Sequence, residues 1–271
     1  GSMSNTATVL AFDFGASSGR AIRAVYDGQN LTYEEIHRFE NVPIEKDGHL
    51  CWDVETLLKE IHTAIQKAGT FDSLGFDTWG VDFGLLDADG HLLVNPVHYR
   101  DARTNGKLEQ AAACMPAEEL YAHTGNQIMA INTLFQLLAL QEQEPELLQK
   151  AEQVLFMPDL FAALLGAEPV CERSIASTSQ MLDPRTGQWS RKVLAAYGLP
   201  ENCFAPIVAS GTVTGTLANG AKIIAVAGHD TQCASVAMPC AEEDAEHTAF
   251  LSCGTWSLLG TELDAPILTA D

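Results

Sequence analysis

The hydrophobic and polar positions at the start of the chain predict three antiparallel strands. Residues 9–12 are an apolar run, residues 21–26 return to the same composition, and residues 31–39 alternate after a polar turn cluster. Between the first two runs lies the stretch 15–19, which holds only Gly, Ala and Ser. Such small residues predict a tight turn between two strands.

A helix and a fourth strand follow, which predicts a β-α-β crossover onto the first strand. Apolar residues recur at helical spacing over residues 54–67, and Asp53 is a suitable N-cap. Residues 73–78 form a short apolar run typical of a buried strand. A crossover through a helix makes this strand parallel to the strand it joins.

The remaining pattern is mainly helical and ends in further strands. We predict a hairpin over 84–93, helices over 104–165 with breaks at prolines and Gly125, a short helix over 190–197, and a strand over 223–227. Residues 249–259 repeat the opening design of strand, Gly-Thr turn and strand.

This repeat is the first indication of function. Residues 12–18 and 251–257 each place a glycine and hydroxyl residues in a predicted hairpin turn. Successive backbone amides in such turns can bind phosphate oxygens, because glycine admits close backbone approach. Either turn taken alone favours an ordinary glycine turn, whereas the pair, with Asp13 before the first, favours a nucleotide site.

Composition narrows the classes of partner. The 271 residues carry a formal net charge of −21 and a pI near 4.5, which disfavours nucleic acid and anionic membrane surfaces. No apolar run approaches the length of a membrane span. The 7 cysteines are odd in number and lack the C-x₂₋₄-C spacing of zinc sites, so we expect reduced thiols and a cytoplasmic location.

The motifs together resemble those of the FGGY carbohydrate kinases, which belong to the actin and heat-shock-70 ATPase superfamily. The resemblance rests on seven stretches in family order, residues 12–20, 77–83, 99–105, 132–137, 157–159, 229–231 and 252–258. Ala16 departs from the threonine of the commonest first phosphate motif, and this departure narrows the substrate to a deoxyketose. The resemblance implies an α/β fold of RNase H-like type, with a mixed sheet flanked by helices and an incomplete second domain.

The implied reaction is ATP-dependent phosphorylation of a ketose at a primary hydroxyl, here O1 of L-rhamnulose. Asp230 is the expected catalytic base, and Asp13 is expected to hold Mg²⁺ through water. The expected ATP contacts are Ala16, Ser17, Ser18, Gly19, Arg20 and Thr255. The expected substrate contacts are Trp79, Gly80, Asp82, His229, Asp230 and Thr231.

Simpler roles remain open for several of these residues. Asp230 could be a turn residue or a helix cap, and Asp13 could accept hydrogen bonds from the amides of the turn. Arg20 could be a surface residue, and Trp79 could be a core residue. An indole also suits the apolar face of a deoxysugar, and a carboxylate such as Asp82 accepts hydrogen bonds from hydroxyls.

The family pattern also implies a division of the chain. Residues 4–226 are expected to form the sugar-binding domain, and residues 227–271 the start of a truncated nucleotide-binding domain. We therefore expect this chain alone to be inactive or weakly active. Its incomplete domain is expected to be disordered, folded back, or exchanged with a second copy in a dimer, which would be a route to self-association.

Alternative functions stay open from the sequence. Within the family, the specificity of a xylulokinase or a fuculokinase is the nearest rival. Outside catalysis, a sugar-binding module that has lost its ATP half would carry the same motifs, and an actin-like or chaperone-like ATPase would carry the two phosphate turns.

Overall fold

The computed structural model describes residues 6–227 and 258–259, and its centre is a six-stranded mixed sheet. The order of strands in this sheet is β13-β14-β6-β1-β2-β3. The strands are β1 (Ala7–Phe14), β2 (Ser18–Tyr26), β3 (Leu31–Glu40), β4 (Ile44–Lys46), β5 (His49–Cys51), β6 (Ser73–Asp77), β7 (Phe83–Leu86), β8 (Gln153–Phe156), β9 (Cys171–Glu172), β10 (Leu182–Asp183), β11 (Gln188–Trp189), β12 (Ile207–Val208), β13 (Val213–Thr216) and β14 (Lys222–Ile224). The helices are α1 (Val54–Ala68), α2 (Lys107–Cys114), α3 (Ala117–Thr124), α4 (Thr133–Gln143), α5 (Pro145–Lys150), α6 (Met157–Leu164), α7 (Arg173–Ala176) and α8 (Arg191–Ala196).

The predicted opening meander and crossover are confirmed. Strands β1, β2 and β3 pair antiparallel, and β6 returns parallel to β1 after α1. The side chain of Asp53 accepts a hydrogen bond from the amide of Thr56, so it caps α1 as the sequence predicts. Strand β14 adds to the other side of β6 in parallel, and β13 pairs antiparallel with β14. The remaining described strands form four two-stranded sheets, β4-β5, β7-β8, β9-β12 and β10-β11.

The alternation of residues along β1 buries both faces of the sheet. Leu10, Phe12 and Phe14 face a large core that includes residues of α1 and α6, and the ring of Phe14 stacks on that of Phe161 at 4.8 Å. Val9 and Ala11 face the opposite side, where they belong to a smaller apolar cluster with Leu258 and Leu259.

The hairpin predicted over 84–93 forms, because Leu86 pairs antiparallel with Leu92 and the amide of Leu93 donates to the carbonyl of Leu85. On its other edge β7 pairs with β8, which the sequence did not predict. Two sequence-based expectations are wrong in detail. The region 104–165, predicted as helical, contains β8, because a short apolar run between polar residues fits a buried strand as well as a helix. Leu258 and Leu259 are helical rather than extended, and they pack on the sheet.

Two expectations from composition can be compared with the described residues. None of the described helices has the length and apolar character needed to cross a membrane. Four cysteines, Cys51, Cys114, Cys171 and Cys203, lie in the described part of the chain, and all four are free thiols. The boundary between residues 226 and 227 stays a prediction, since most of the second predicted domain lies outside the described residues.

Candidate active site

The site predicted from the sequence lies where two parallel strands end side by side. The turn that links β1 to β2 follows the carboxyl end of β1, and residues 78–82 follow the carboxyl end of β6. The rings of Phe14 and Trp79 lie 6.5 Å apart, so the two segments are neighbours. Ligands of open α/β sheets bind at this edge, because the loops that leave parallel strands converge there.

We call residues 15–18 the phosphate turn. The amide of Gly15 donates to the carbonyl of Ser18 at 2.8 Å, and the intervening Ala16 and Ser17 are exposed, as is Ser18. Gly15 has no positive φ, so its lack of a side chain is not needed for a left-handed conformation. The turn therefore presents backbone and two hydroxyl groups at the surface, as a phosphate site requires.

Gly19 is required by the packing beneath this turn. A Cβ atom added at Gly19 would lie 2.3 Å from the ring of Phe39, which is buried on the neighbouring strand β3. The aromatic ring fills the space that any other residue would occupy. Gly19 is buried, so the structure gives it a packing role and brings it next to the exposed turn.

Asp13 and Arg20 form a pair at the base of the turn. They are register partners in the β1–β2 ladder, and the Nε atom of Arg20 donates to Oδ2 of Asp13 at 3.3 Å. Asp13 also lies opposite Asp77 in the parallel pairing with β6. Burial and then the charges of Asp13 and Glu172 raise the pKa of Asp77 well above its ordinary value.

The donor set at this point fits a magnesium ion. Mg²⁺ prefers hard oxygen ligands, usually one or two carboxylates together with phosphate oxygens and water. Asp13 and Asp77 supply carboxylates on adjacent strands, next to the turn. Since Asp13 is only 6% exposed and Arg20 occupies Oδ2, a contact through water fits better than direct ligation.

The second half of the site is the segment after β6, which is held in a strained conformation. Val81 has φ of 63°, a left-handed value that is unusual for a β-branched residue. Two hydrogen bonds hold the backbone of Val81 in this conformation. Its amide donates to Oγ1 of Thr178 at 3.0 Å, and its carbonyl accepts from Oγ1 of Thr133 at 2.6 Å. A Cβ atom at Gly80 would lie 2.9 Å from Thr178, so only glycine fits there. Strain of this kind is typical of ligand sites.

Asp82 is fully buried and accepts four hydrogen bonds. Its Oδ2 atom receives Nε1 of Trp52 at 2.6 Å, Nε1 of Trp79 at 3.2 Å and the amide of Tyr99 at 3.2 Å. Its Oδ1 atom receives Nε2 of Gln136 at 2.9 Å. Burial raises the pKa of Asp82 to about 6, although the bonds from Gln136, Trp52 and Tyr99 oppose this shift.

The aromatic side chains around Asp82 form a stack that we call the aromatic corner, defined by Trp52, Trp79, His98 and Tyr99. The ring centroids of Trp52 and Trp79 lie 4.0 Å apart, and those of Trp52 and His98 lie 4.2 Å apart. Burial, followed by the charge of Arg100, lowers the pKa of His98 to about 4, so its ring is neutral at pH 7. Trp79 and Tyr99 keep part of their surface exposed, whereas Trp52 is fully buried.

These contacts change the role expected for Asp82. With no exposed surface and four donors around it, its carboxylate has no room for a sugar hydroxyl in this structure. The geometry instead shows Asp82 holding the indole of Trp79 in place through its Oδ2 atom. Trp79 and Gly80 keep accessible surface at the strand end, as substrate contacts require.

A second buried carboxyl group lies close to this edge of the sheet. Asp159 is 5% exposed, and its Oδ2 atom accepts a hydrogen bond from the amide of Glu172 at 2.9 Å. Burial raises the pKa of Asp159 to about 8, and the charge of Glu172 adds to the rise while the amide bond opposes it. Asp159 is therefore mostly protonated at pH 7.

Four of the residues singled out in the sequence, His229, Asp230, Thr231 and Thr255, lie outside the described residues. The structure does bring together the other predicted members, from Asp13 and the phosphate turn to Trp79 and Gly80. It adds residues that sequence reasoning missed, above all Trp52, Gln136 and Thr178. Gln136 lies in the stretch 132–137, which resembles the family, and this resemblance is the feature of the sequence that could have predicted its role.

The comparisons with known proteins agree with this geometry. The profile described as "FGGY family of carbohydrate kinases, N-terminal domain" matches residues 8–237. A curated relative named rhamnulokinase, from Bacteroides thetaiotaomicron, is 40% identical over 97% of this chain and 56% of its own length.

Solved structures of kinases share the fold. A xylulose kinase from Rhodospirillum rubrum has a TM-score of 0.73 at 18% identity, over 85% of this chain and 51% of its own. A glycerol kinase from Plasmodium falciparum, solved with ADP, has a TM-score of 0.66 at 17% identity, over 84% of this chain and 49% of its own. The expected mixed sheet of the actin and heat-shock-70 type is thus confirmed, and the chain spans about half the length of the relatives it matches.

Proposed function

The chain belongs to the FGGY family of carbohydrate kinases, and we propose that the protein it represents transfers a phosphoryl group from ATP to O1 of L-rhamnulose. The observation that carries this proposal is the adjacency of the phosphate turn and the Trp79–Gly80 segment at the ends of two parallel strands. The 40% identity to a protein named rhamnulokinase supports the choice of ketose.

The proposed roles divide along this edge of the sheet. Backbone amides and hydroxyl groups of Ala16, Ser17 and Ser18 hold phosphate oxygens, with Gly19 beneath them. Arg20 balances the charge of Asp13, which holds magnesium through water. When bound, the ion neutralises charge on the transferred phosphoryl group.

The sugar lies against Trp79 and Gly80, with Asp82 fixing the indole from behind. His229, Asp230 and Thr231 also contact the sugar, and Thr255 contacts ATP. Asp230 accepts the proton of the attacking O1 hydroxyl as that oxygen bonds to the γ-phosphorus of ATP, while the bond from this phosphorus to the bridging oxygen breaks and ADP leaves. Phosphoryl transfer needs alignment and charge stabilisation more than covalent help, and these residue types supply both.

We also propose that residues 1–271 alone are inactive or weakly active, and that they self-associate. The chain covers 56% of the length of its rhamnulokinase relative. Phosphoryl transfer in a cleft between two domains requires both domains, because they close around the substrates and exclude water. Light scattering of this chain, with the full-length protein as control, measures the self-association.

The test is a coupled assay of ADP release with the full-length protein, ATP, Mg²⁺ and three ketoses. We expect turnover of about 1–100 per second, as is usual for kinases, with L-rhamnulose preferred over D-xylulose and L-fuculose by about tenfold or more in kcat/KM. Preference for another ketose would overturn the substrate, and no phosphorylation of any ketose would overturn the kinase. Turnover at the full rate by residues 1–271 would contradict the inactive-fragment proposal.

A further inference from the structure

Asn41, the residue that follows β3, holds the phosphate turn from behind. Its backbone amide donates to the carbonyl of Ser17 at 2.9 Å, which continues the β2–β3 ladder by one residue. Its side-chain Nδ2 atom donates to the carbonyl of Gly15, also at 2.9 Å. Asn41 is 3% exposed, so one buried residue fixes two carbonyl groups of the turn.

The bond from Nδ2 replaces one that the turn would otherwise make with itself. Gly15 and Ser18 face each other across the hairpin, and the amide of Gly15 donates to the carbonyl of Ser18. In a closed turn of this length the amide of Ser18 would return this bond to the carbonyl of Gly15. Within residues 6–227 that return bond is not formed, and Asn41 is the donor to the Gly15 carbonyl instead.

The direction of the turn amides follows from the planarity of the peptide unit. In a trans peptide the carbonyl and the next amide point in opposite directions. Because the Gly15 carbonyl points at Asn41, the amide of Ala16 points away from it, toward the exposed side of the turn. The amide of Ser18 does not donate to the Gly15 carbonyl, so it is available to another acceptor.

The Oδ1 atom of Asn41 indicates that the side chain is not optimised for stability. This atom is buried and has no hydrogen-bond donor among the described residues. An unsatisfied buried acceptor destabilises a fold, so an apolar residue would serve better if filling space were the only requirement. The hydrogen bond from Nδ2 to the Gly15 carbonyl therefore accounts for an asparagine at this position.

We propose that Asn41 is a positioning residue that keeps the phosphate turn open, so that the amides of Ala16 and Ser18 meet the phosphate oxygens of the nucleotide. The inference rests on the proposed kinase function, because it assumes that this turn binds ATP. Asn41 contacts neither substrate; it acts through the Gly15 carbonyl. Removing it allows Ser18 to close the turn on itself.

The test is steady-state kinetics of the full-length protein with Asn41→Ala and Asn41→Leu, the second of which keeps the branched shape of the side chain without its hydrogen-bonding groups. We expect KM for ATP to rise about tenfold in both, in keeping with the loss of hydrogen bonds to a charged ligand, and KM for the ketose to stay within about twofold. The matched control is Gln141→Ala, which removes an amide bond to the carbonyl of Gly198 at 3.0 Å, and it should leave both constants unchanged. Folded Asn41 variants with an unaltered KM for ATP, or with both constants raised equally, would overturn the proposal.

Hydrogen exchange of the nucleotide-free wild-type protein supplies a second measurement that does not depend on the variants. We expect the Ser18 amide to exchange freely and to become protected when ADP and Mg²⁺ bind. Protection before nucleotide is added would overturn the open turn even if neither variant folds. If the wild-type protein phosphorylates no ketose, the proposed function fails, whereas the exchange result still decides whether the turn is open.

Discussion

The phosphate turn and the aromatic corner are neighbours at one sheet edge, yet they are built in opposite ways. The turn consists of consecutive residues whose exposed groups are mainly backbone, and two residues of the adjacent strand end, Phe39 and Asn41, support it. The corner consists of side chains from three separate segments, and it surrounds the buried carboxylate of Asp82, which accepts from Trp52, Trp79, the backbone amide of Tyr99 and, from a fourth segment, Gln136. A local turn tolerates changes of exposed side chains, whereas a convergent network fails when its centre changes.

The largest effect is expected from Asp82→Asn, which breaks the corner. In either orientation, the asparagine amide places its NH₂ group against an existing donor. This donor is either the pair of indole N–H groups of Trp52 and Trp79 or the side-chain NH₂ group of Gln136. Gln136 cannot reverse its own amide without losing the bond that Arg103 donates to its Oε1 atom. We expect the free energy of unfolding to fall by about 2–4 kcal/mol at pH 7, measured by urea denaturation.

Asp159→Asn is the matched control for that substitution. Asp159 is equally buried but has one donor, the amide of Glu172, which an asparagine oxygen can still accept. We expect a change within about 1 kcal/mol at pH 7. Equal losses in the two variants would show that burial alone, not the convergence of donors, makes Asp82 important.

A smaller loss is expected from Gly19→Ala, which tests the support beneath the turn. The new methyl group would lie 2.3 Å from the ring of Phe39, and the ring is buried. Overpacking of this kind destabilises by about 1–3 kcal/mol. The double variant Gly19→Ala with Phe39→Leu should recover part of the loss, and the absence of any recovery would contradict the contact.

The pH dependence of stability tests the protonation of the control residue, Asp159. Because the pKa of Asp159 is raised to about 8, its stabilising contribution is complete below the ordinary value of 3.8 and is lost as the pH rises through 8. Relative to Asp159→Asn, the wild-type protein should therefore lose on the order of 1 kcal/mol in free energy of unfolding between pH 7 and pH 9, measured by urea denaturation. Parallel profiles for the two proteins would contradict the raised pKa.

The smallest effect on stability is expected from Ser17→Ala in the turn. The Ser17 side chain is exposed, and the fold uses only its carbonyl, which accepts from the amide of Asn41. We expect the free energy of unfolding to change by less than about 0.5 kcal/mol, while KM for ATP rises about threefold. A large loss of stability would mean that the turn is not the tolerant region described above.

The same contrast explains how much the sequence could predict. The turn was predictable because strand, small residues and strand are contiguous, and the meander around it is as expected. The corner was not, because Asp82 joins Trp52 and Gln136 across 30 and 54 residues, and no local pattern records such pairs. The left-handed Val81 is equally hidden, since β-branched residues disfavour that conformation and tertiary contacts impose it.

The central claim, that the turn serves ATP and the corner serves the ketose, is tested most directly by the kinetics of two full-length variants, Trp79→Ala and Ser17→Ala. Trp79→Ala removes a half-buried indole at the strand end and should raise KM for L-rhamnulose about tenfold while KM for ATP stays within about twofold. Ser17→Ala should raise only KM for ATP. If both variants alter the same constant, or if Trp79→Ala alters KM for ATP alone, the division of the site is contradicted.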